Sequence, residues 1–231
     1  MSKTAKRLTI LGAISVLLFT ATACSSLQKN LDVVGKGSVA SFEAVLNAVP
    51  DQVEADGMNV GWSLSAPDGT ARFVWGEDWS SSPQHDIMLE FDATPFMEAG
   101  LDPEKLPGNY AYYEGTLMVG TKLGDNAPQY GGNPTPFAAY EQIVNLSRDS
   151  IGYHMELDHY GVDLGGGNLF EWAKDMNTND KDIVFALNPE PLIAAGVDPE
   201  AVDGWVFAKV KAHVDGRPAE VDKLLKPFNL I

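Results

Sequence analysis

The chain is short of cysteine and of positive charge. It has 231 residues with one cysteine, Cys24, and 16 lysine and arginine residues against 32 aspartate and glutamate residues. A single cysteine cannot form an internal disulfide, so the fold must be held by a hydrophobic core, for which the chain is long enough. The formal net charge of −16 repels phosphate backbones and anionic lipid headgroups, so nucleic acid is not an expected partner.

Long hydrophobic runs and common catalytic motifs are also missing. The apolar stretch near the N-terminus, Leu8 to Phe19, has 12 residues, whereas a membrane-spanning helix needs about 20. The sequence contains no G-x-S-x-G elbow, no H-E-x-x-H pair and no phosphate-binding loop. These absences favour a binding or interaction protein over an enzyme.

The N-terminal residues of the chain have the pattern of a leader segment for export. Small residues, Ala21-Thr22-Ala23, follow the apolar stretch and precede Cys24. The leader opens with three positive charges, Lys3, Lys6 and Arg7. This order resembles the lipobox signal peptide of bacterial lipoproteins, whose cysteine is diacylated and becomes the mature N-terminus. The family usually has leucine where this chain has Ala21, and the same residues fit ordinary secretory cleavage after Ala23, so that alternative stays open.

The resemblance implies a lipid-anchored protein on the extracytoplasmic face of a bacterial cell envelope. Its membrane attachment would be the diacylglyceryl group on Cys24, because two acyl chains hold stably where one binds marginally. Cleavage would remove the signal peptide, residues 1–23, and leave 208 residues with a formal charge of −19. Residues 24–40 are polar, contain Gly35 and Gly37, and are predicted to be a tether.

The rest of the chain repeats itself. Asp86–Glu104 aligns without a gap with Asp182–Glu200, with eight identities in nineteen positions that include the pattern A-G-[LV]-D-P-E. Two unrelated amphipathic stretches rarely match in this way. The pattern therefore predicts a tandem duplication, with a first unit at 41–124, a glycine- and proline-bearing linker at 125–134 and a second unit at 135–231.

Upstream positions extend the match. Trp75 recurs as Trp172, so both are predicted to lie in the core. Further back, Gly61-Trp62 is aligned with Gly152-Tyr153. Because the offset changes only between predicted elements, where loops absorb insertions, the alignment supports duplication.

Each unit is predicted to have the element order α-β-β-β-α-β. Apolar residues at helical spacing predict a first helix that begins at Ser41 or at Thr135. Alternation and turn residues predict strands near 58–65, 70–76, 86–92 and 109–120, and in the second unit near 150–158, 168–173, 182–188 and 205–214. The expected fold class is α+β, with antiparallel sheets, helices on one face, units that could fold alone, and a pseudo-twofold pair.

The repeated motif has a structural interpretation. Thr94 is expected to cap a short helix, Pro95 to open it and Gly100 to close it in a left-handed conformation. Asp102 is then expected to cap the next turn. The same roles recur in Pro191–Glu200.

Aromatic residues suggest a ligand-binding surface. Four of them lack counterparts in the other unit and are candidate binding residues: Trp79, Tyr110, Tyr112 and Tyr113. A groove between the units is the other expected location. The function predicted from these features is that of a membrane-anchored binding or interaction module for a small molecule, a glycan or a protein.

A metal-dependent envelope enzyme is the alternative. Four residues on or next to one predicted strand are candidate metal ligands. Three of them, His154, Glu156 and Asp158, alternate along one face of the strand, and His159 follows. Imidazole and carboxylate groups together suit a divalent metal or proton transfer, although a solvated strand face gives the same alternation, and no cofactor is otherwise predicted. Asp163 and the glycines that follow resemble a calcium loop, but a glycine-rich hairpin fits better because the Asp-x-Asp spacing is absent.

Overall fold

The structure, a computed structural model, describes residues 31–56, 61–76, 87–121, 135–146, 151–154, 158–174, 181–214 and 217–230. The predicted signal peptide and linker lie outside these ranges, as do Cys24, Trp79 and Glu156. Within them, none of the helices is both long and apolar enough to cross a membrane.

Short helices and strands alternate along the chain. The helices are α1 (Leu31–Ala48), α2 (Thr94–Glu98), α3 (Pro136–Leu146) and α4 (Glu190–Ala194). The strands of the first half are β1 (Val53–Asp56), β2 (Gly61–Ser65), β3 (Ala71–Gly76), β4 (Ile87–Asp92), β5 (Tyr110–Tyr113) and β6 (Thr116–Thr121). Those of the second half are β7 (Ile151–His154), β8 (His159–Asp163), β9 (Leu169–Ala173), β10 (Ile183–Leu187), β11 (Val206–Val214) and β12 (Arg217–Phe228).

The strands form two antiparallel sheets of the same topology. The first sheet has the order β1-β2-β3-β4-β6-β5, and the second has the order β7-β8-β9-β10-β12-β11 read from the matching edge. Every pairing between these strands is antiparallel. Two similar six-stranded sheets fit a duplication, and the prediction of antiparallel sheets is confirmed.

The predicted element order was incomplete. Each half has four strands before its short helix and two after it. The expected strand at 109–120 is a hairpin, because Glu114 and Gly115 both adopt positive φ, +46° and +86°, and reverse the chain. The expected strand at 150–158 likewise ends at His154, and a second strand begins at His159.

Strand register corrects part of the internal alignment. Trp62 lies opposite Trp75 in the first sheet, and Tyr160 lies opposite Trp172 in the second. The counterpart of Trp62 is therefore Tyr160, and the alignment of Trp62 with Tyr153 was wrong. A four-residue strand carries too little sequence pattern to fix its partner.

Each long helix packs on the sheet of the other half. α1 contacts α3, β7 and β8, whereas α3 contacts β2 and β3. Two hydrogen bonds hold this exchange: the Ser41 hydroxyl donates to the carbonyl of Ala173 at 3.1 Å, and the Trp75 indole N–H donates to the carbonyl of Pro136 at 3.0 Å. Each half covers the core of the other. We therefore no longer expect a single unit to fold alone.

α1 begins at Leu31, inside the range predicted as a tether. Ser41 therefore lies within the helix and caps nothing at its start. Gly37, one of the residues that suggested a tether, is a packing residue, since a Cβ there would lie 2.1 Å from the Tyr160 hydroxyl oxygen. A glycine within a helix costs about 1 kcal/mol relative to alanine, and here the close approach of Tyr160 requires it.

The core lies between the two sheets and is rich in aromatic rings. Phe73 of β3 stacks on Phe170 of β9 with ring centroids 4.0 Å apart and planes 6° from parallel. Trp75 and Trp172 are fully buried beside them, as predicted. In the described part of the chain, these side chains pack in the space between the sheets. The expected groove between the units stays a prediction.

The repeated A-G-[LV]-D-P-E motif ends each short helix as predicted. Gly100 and Gly196 have φ of +104° and +101°. The Leu101 N–H bonds the Phe96 carbonyl at 2.9 Å and the Gly100 N–H bonds the Met97 carbonyl at 3.1 Å, and the second motif makes the same pair at 3.0 and 2.9 Å. This is the Schellman arrangement, which satisfies the last carbonyls of a helix.

The caps of the motif are confirmed in part. The Asp102 carboxylate accepts the Glu104 N–H at 3.2 Å, so Asp102 caps the next turn. The Thr94 cap was wrong, because Asp92 two residues earlier accepts the Thr94 N–H at 2.9 Å and the helix begins at Thr94. A carboxylate accepts such a bond better than a hydroxyl does.

The motif has a second role that the sequence did not reveal, because its two copies touch. The Asp102 N–H donates to the Ala195 carbonyl at 2.7 Å, and the Asp198 N–H donates to the Ala99 carbonyl at 2.8 Å. A Cβ on either glycine of the motif would lie 2.7 Å from the carbonyl oxygen of the other glycine. The repeated residues therefore hold the two halves together.

Candidate functional site

The candidate site lies on the outer face of the first sheet. Strand alternation turns Phe73 and Phe91 toward the core, so the residues beside them, Arg72 on β3 and Glu90 on β4, face outward. Arg72 and Glu90 lie directly opposite each other in the ladder, and the Arg72 Nε donates to the Glu90 carboxylate. The Glu90 side chain is 3% exposed and that of Arg72 is 34% exposed, so the arginine forms the open side of the pair.

This ion pair lies in an open cleft of about 390 Å³. The size falls in the range of small-ligand sites. Its lining combines the β2–β3 turn, the outer faces of β3 and β4, and the β5–β6 turn: Ser65, Gly69, Thr70, Ala71, Arg72, Glu90, Phe91, Asp92, Gly115 and Thr116. The sheet thus brings together polar groups from three separate segments of the chain: the β2–β3 hairpin, β4 and the β5–β6 turn.

The carboxylates at the rim are held in their charged form. Hydrogen bonds from the backbone N–H and side chain of Thr94 keep the pKa of Asp92 below its ordinary value. The pKa of Asp68 in the neighbouring turn is also lowered: partial burial opposes the shift, but hydrogen bonds from Thr70 and the ammonium of Lys226 outweigh it. Both groups are therefore hydrogen-bond acceptors at neutral pH.

The second sheet has no such polar pair at the equivalent positions. The register that places Arg72 opposite Glu90 places Leu169 opposite Ala186. These two residues belong to a buried apolar cluster on that sheet with Val184, Val210 and Leu225. The two halves therefore share their inner faces but differ in the chemistry of their outer faces.

The predicted aromatic residues separate into two groups. Tyr110 is buried, donates to the Asn168 side-chain oxygen at 3.1 Å, and has a pKa raised by burial, so it connects the two halves and is not part of an exposed surface. Tyr112 and Tyr113 are 40% and 54% exposed on the edge strand β5. Tyr113 lies opposite Thr116, which lines the cleft.

The predicted metal ligands lie around the β7–β8 connection. His154 is opposite His159 across the strand pair. Asp158 has a φ of +53° and belongs to the turn, so the expected alternation along one strand does not extend to it. Its carboxylate accepts the Tyr153 hydroxyl, which raises the pKa of Tyr153 to about 12.

His159 itself is buried, with Nε2 2.8 Å from the Lys181 carbonyl oxygen. Among the residues that the structure describes, no three histidine, cysteine, aspartate or glutamate side chains form a group able to hold a metal ion. Because Glu156 is outside those residues, the metal site stays a prediction.

The glycine-rich segment after Asp163 is a hairpin connection. Gly165, Gly166 and Gly167 all have positive φ, and the Leu164 N–H bonds the Asn168 carbonyl across the connection. The three glycine carbonyls accept N–H groups from the protein itself: the Asn168 amide, the Asn188 amide and the Lys223 ammonium. A lysine therefore supplies the positive charge that a calcium loop would take from a metal ion.

The Arg72–Glu90 pair was missed from the sequence. Its signal was a charged residue in the middle of each of two apolar strands, as in Leu89-Glu90-Phe91. Only the register of β3 and β4 makes the two residues partners.

Comparisons with protein families, with curated proteins and with solved structures find no match to this chain.

Proposed function

We propose that this chain is a membrane-anchored lipoprotein of a bacterial envelope, attached through diacylglyceryl on Cys24, that acts as a binding module. Its ligand site would be the cleft on the outer face of the first sheet. The observation that carries this proposal is the polar cleft around Arg72 and Glu90, which the second sheet replaces with Leu169 and Ala186. A polar pair that is present on one sheet and absent from its counterpart suits a role beyond folding.

The same duplication suggests how the body is built. We propose that the two halves are related by an approximate twofold axis through the contact of Gly100 with Gly196. The reciprocal backbone bonds of Asp102 and Asp198, and the exchange of α1 and α3, support this arrangement. The cleft would then be the feature by which one half diverged from the other.

The binding role is tested by filling the cleft. Thr116→Trp would place an indole in the cleft, and Glu220→Trp would place the same side chain on an exposed strand position outside it. Purified wild-type protein and both variants are screened by thermal shift against saccharides, amino acids and organic acids. The proposal expects a compound that raises the Tm of the wild type and of Glu220→Trp but not of Thr116→Trp.

If no compound distinguishes Thr116→Trp from the control while both variants remain folded, the cleft is not a binding site.

The anchor is tested separately by mass spectrometry of the mature protein. An N-terminal Cys24 carrying the mass of a diacylglyceryl group is expected, and an unmodified Cys24 would remove the lipid attachment.

A further inference from the structure

We infer that the cleft takes a neutral, polyhydroxylated ligand, a carbohydrate, with Arg72 and Tyr113 as its recognition residues. This inference rests on the proposed function. It is carried by the ion pair in the cleft and by the position of the exposed tyrosine beside it.

The ion pair disfavours charged ligands. A carboxylate or phosphate that accepted from Arg72 would lie close to the Glu90 and Asp92 carboxylates, which repel it. An ammonium that approached Glu90 would be repelled by the Arg72 guanidinium. The excess of acidic residues over the whole chain adds a long-range repulsion of anions.

Hydroxyl groups fit without breaking the pair. A guanidinium has five N–H donors, and only its Nε is engaged in the bond to Glu90 described above, so the exposed side of Arg72 can donate to a ligand oxygen. At the other side of the cleft the Asp92 carboxylate is an acceptor. A hydroxyl both donates and accepts hydrogen bonds. The hydroxyl groups of one uncharged sugar ring can therefore accept from Arg72 and donate to Asp92.

Tyr113 adds an apolar surface on the same face. Directly opposite residues in a ladder share a face, and the ladder runs from Tyr113 to Thr116 and from Thr116 to Asp92. The tyrosine ring is therefore on the side of the sheet that carries the cleft, and more than half of it is exposed. A sugar presents C–H groups on one face of its ring, which pack on an aromatic ring while its hydroxyls enter the cleft.

Tyr112 provides an internal control. It lies opposite Leu117, which is fully buried in the core, so it belongs to the other face of β5. It is nevertheless 40% exposed because β5 is the edge strand. Tyr112→Ser therefore removes a comparable exposed ring without touching the face that carries the cleft.

The second sheet supplies a variant designed to remain folded. Arg72→Leu with Glu90→Ala copies Leu169 and Ala186 from the equivalent positions. Replacing a buried ion pair by apolar residues of similar volume is often neutral or stabilising. This double variant removes both charges of the Arg72–Glu90 pair together, so neither of the two remains without the other.

The experiment measures binding of the full-length protein to neutral tetrasaccharides of glucose, mannose, galactose, arabinose and N-acetylglucosamine by calorimetry and saturation-transfer NMR. Glucuronic acid oligomers and free amino acids are the charged comparison. We expect at least one neutral saccharide to bind, with affinity reduced tenfold or more by Tyr113→Ser and by the double variant, and unchanged by Tyr112→Ser.

Two results would overturn the inference, and they have different consequences for the proposed binding site. If a charged compound binds and only the double variant abolishes that binding, the cleft is a ligand site but not for carbohydrate. If no compound binds, or if a saccharide binds equally to every folded variant, neither the ligand class nor the cleft as a site stands.

Discussion

The contact between the two copies of the repeated motif is tested most sharply by Gly100→Ala. Gly100 has a φ of +104°, a conformation that disfavours any residue with a Cβ, at a cost of about 1–2 kcal/mol. The new Cβ would also lie 2.7 Å from the Gly196 carbonyl oxygen. Forcing an atom into a packed contact costs a further 1–3 kcal/mol, roughly, so we expect a total loss of about 2–5 kcal/mol.

Gly69→Ala separates the two causes. Gly69 has a φ of +70°, but an added Cβ would meet no atom within 4 Å. This variant should lose only the conformational part, about 1–2 kcal/mol. The difference between the variants therefore measures the close approach of the two halves.

The assay is urea unfolding of the mature protein, followed by tryptophan fluorescence and far-ultraviolet circular dichroism. With a slope near 2 kcal/mol per molar urea, an extra loss of 2 kcal/mol lowers the midpoint by roughly 1 M. Gly196→Ala should behave like Gly100→Ala, since its Cβ would meet the Gly100 carbonyl at the same distance. In the double variant the second alanine should cost less than it does alone, because both press on one contact.

Equal midpoints for Gly100→Ala and Gly69→Ala would refute this reasoning. Such a result would mean that the two motifs do not touch in solution. The glycines would then serve only to end their own helices.

Three further outcomes can be measured. Cys24→Ala should move the protein from the membrane fraction to the soluble fraction, and a variant that stays in the membrane would contradict the anchor. Lys223→Met should lower the free energy of unfolding by about 1–3 kcal/mol, because the Gly167 carbonyl loses its donor; an unchanged urea midpoint would refute this. Burial raises the pKa of Tyr140, so the neutral phenol stabilises the fold fully below the ordinary pKa of about 10 and this contribution is lost above it. Titration at 295 nm should show Tyr140 ionising only with alkaline unfolding, and a tyrosinate signal from all seven tyrosines near pH 10 with unchanged circular dichroism would contradict it.

Local features were predictable because a few neighbouring residues determine them. The Gly100 closure and the Asp102 cap depend on backbone bonds within one turn of chain, and both were found as expected. The burial of Trp75 and Trp172 followed from their recurrence at matched positions. Antiparallel pairing followed from short alternating runs joined by turns.

Features that depend on pairing between distant segments were not predictable. The hairpin of β5 and β6 was merged into one strand because its turn, Glu114-Gly115, carries only one glycine as a signal. Tyr110 was taken as a surface residue because nothing near it in sequence reveals that Asn168 lies above its hydroxyl. The candidate site was missed for the same reason, since Arg72 and Glu90 are 18 residues apart.

The sequence by itself therefore determined the acidic composition, the recurrence of one motif in two segments, the antiparallel strands and the chemistry that ends each short helix. The tertiary structure decided that α1 and α3 pack on the sheet of the opposite half and that the motif around Gly100 and Gly196 joins the two halves. It also decided that the first sheet carries the Arg72–Glu90 pair where the second has Leu169 and Ala186. The physical reason is one of range. Caps and turns are closed by neighbours along the chain, whereas a shared core and a paired charge exist only once strand register has brought distant residues together.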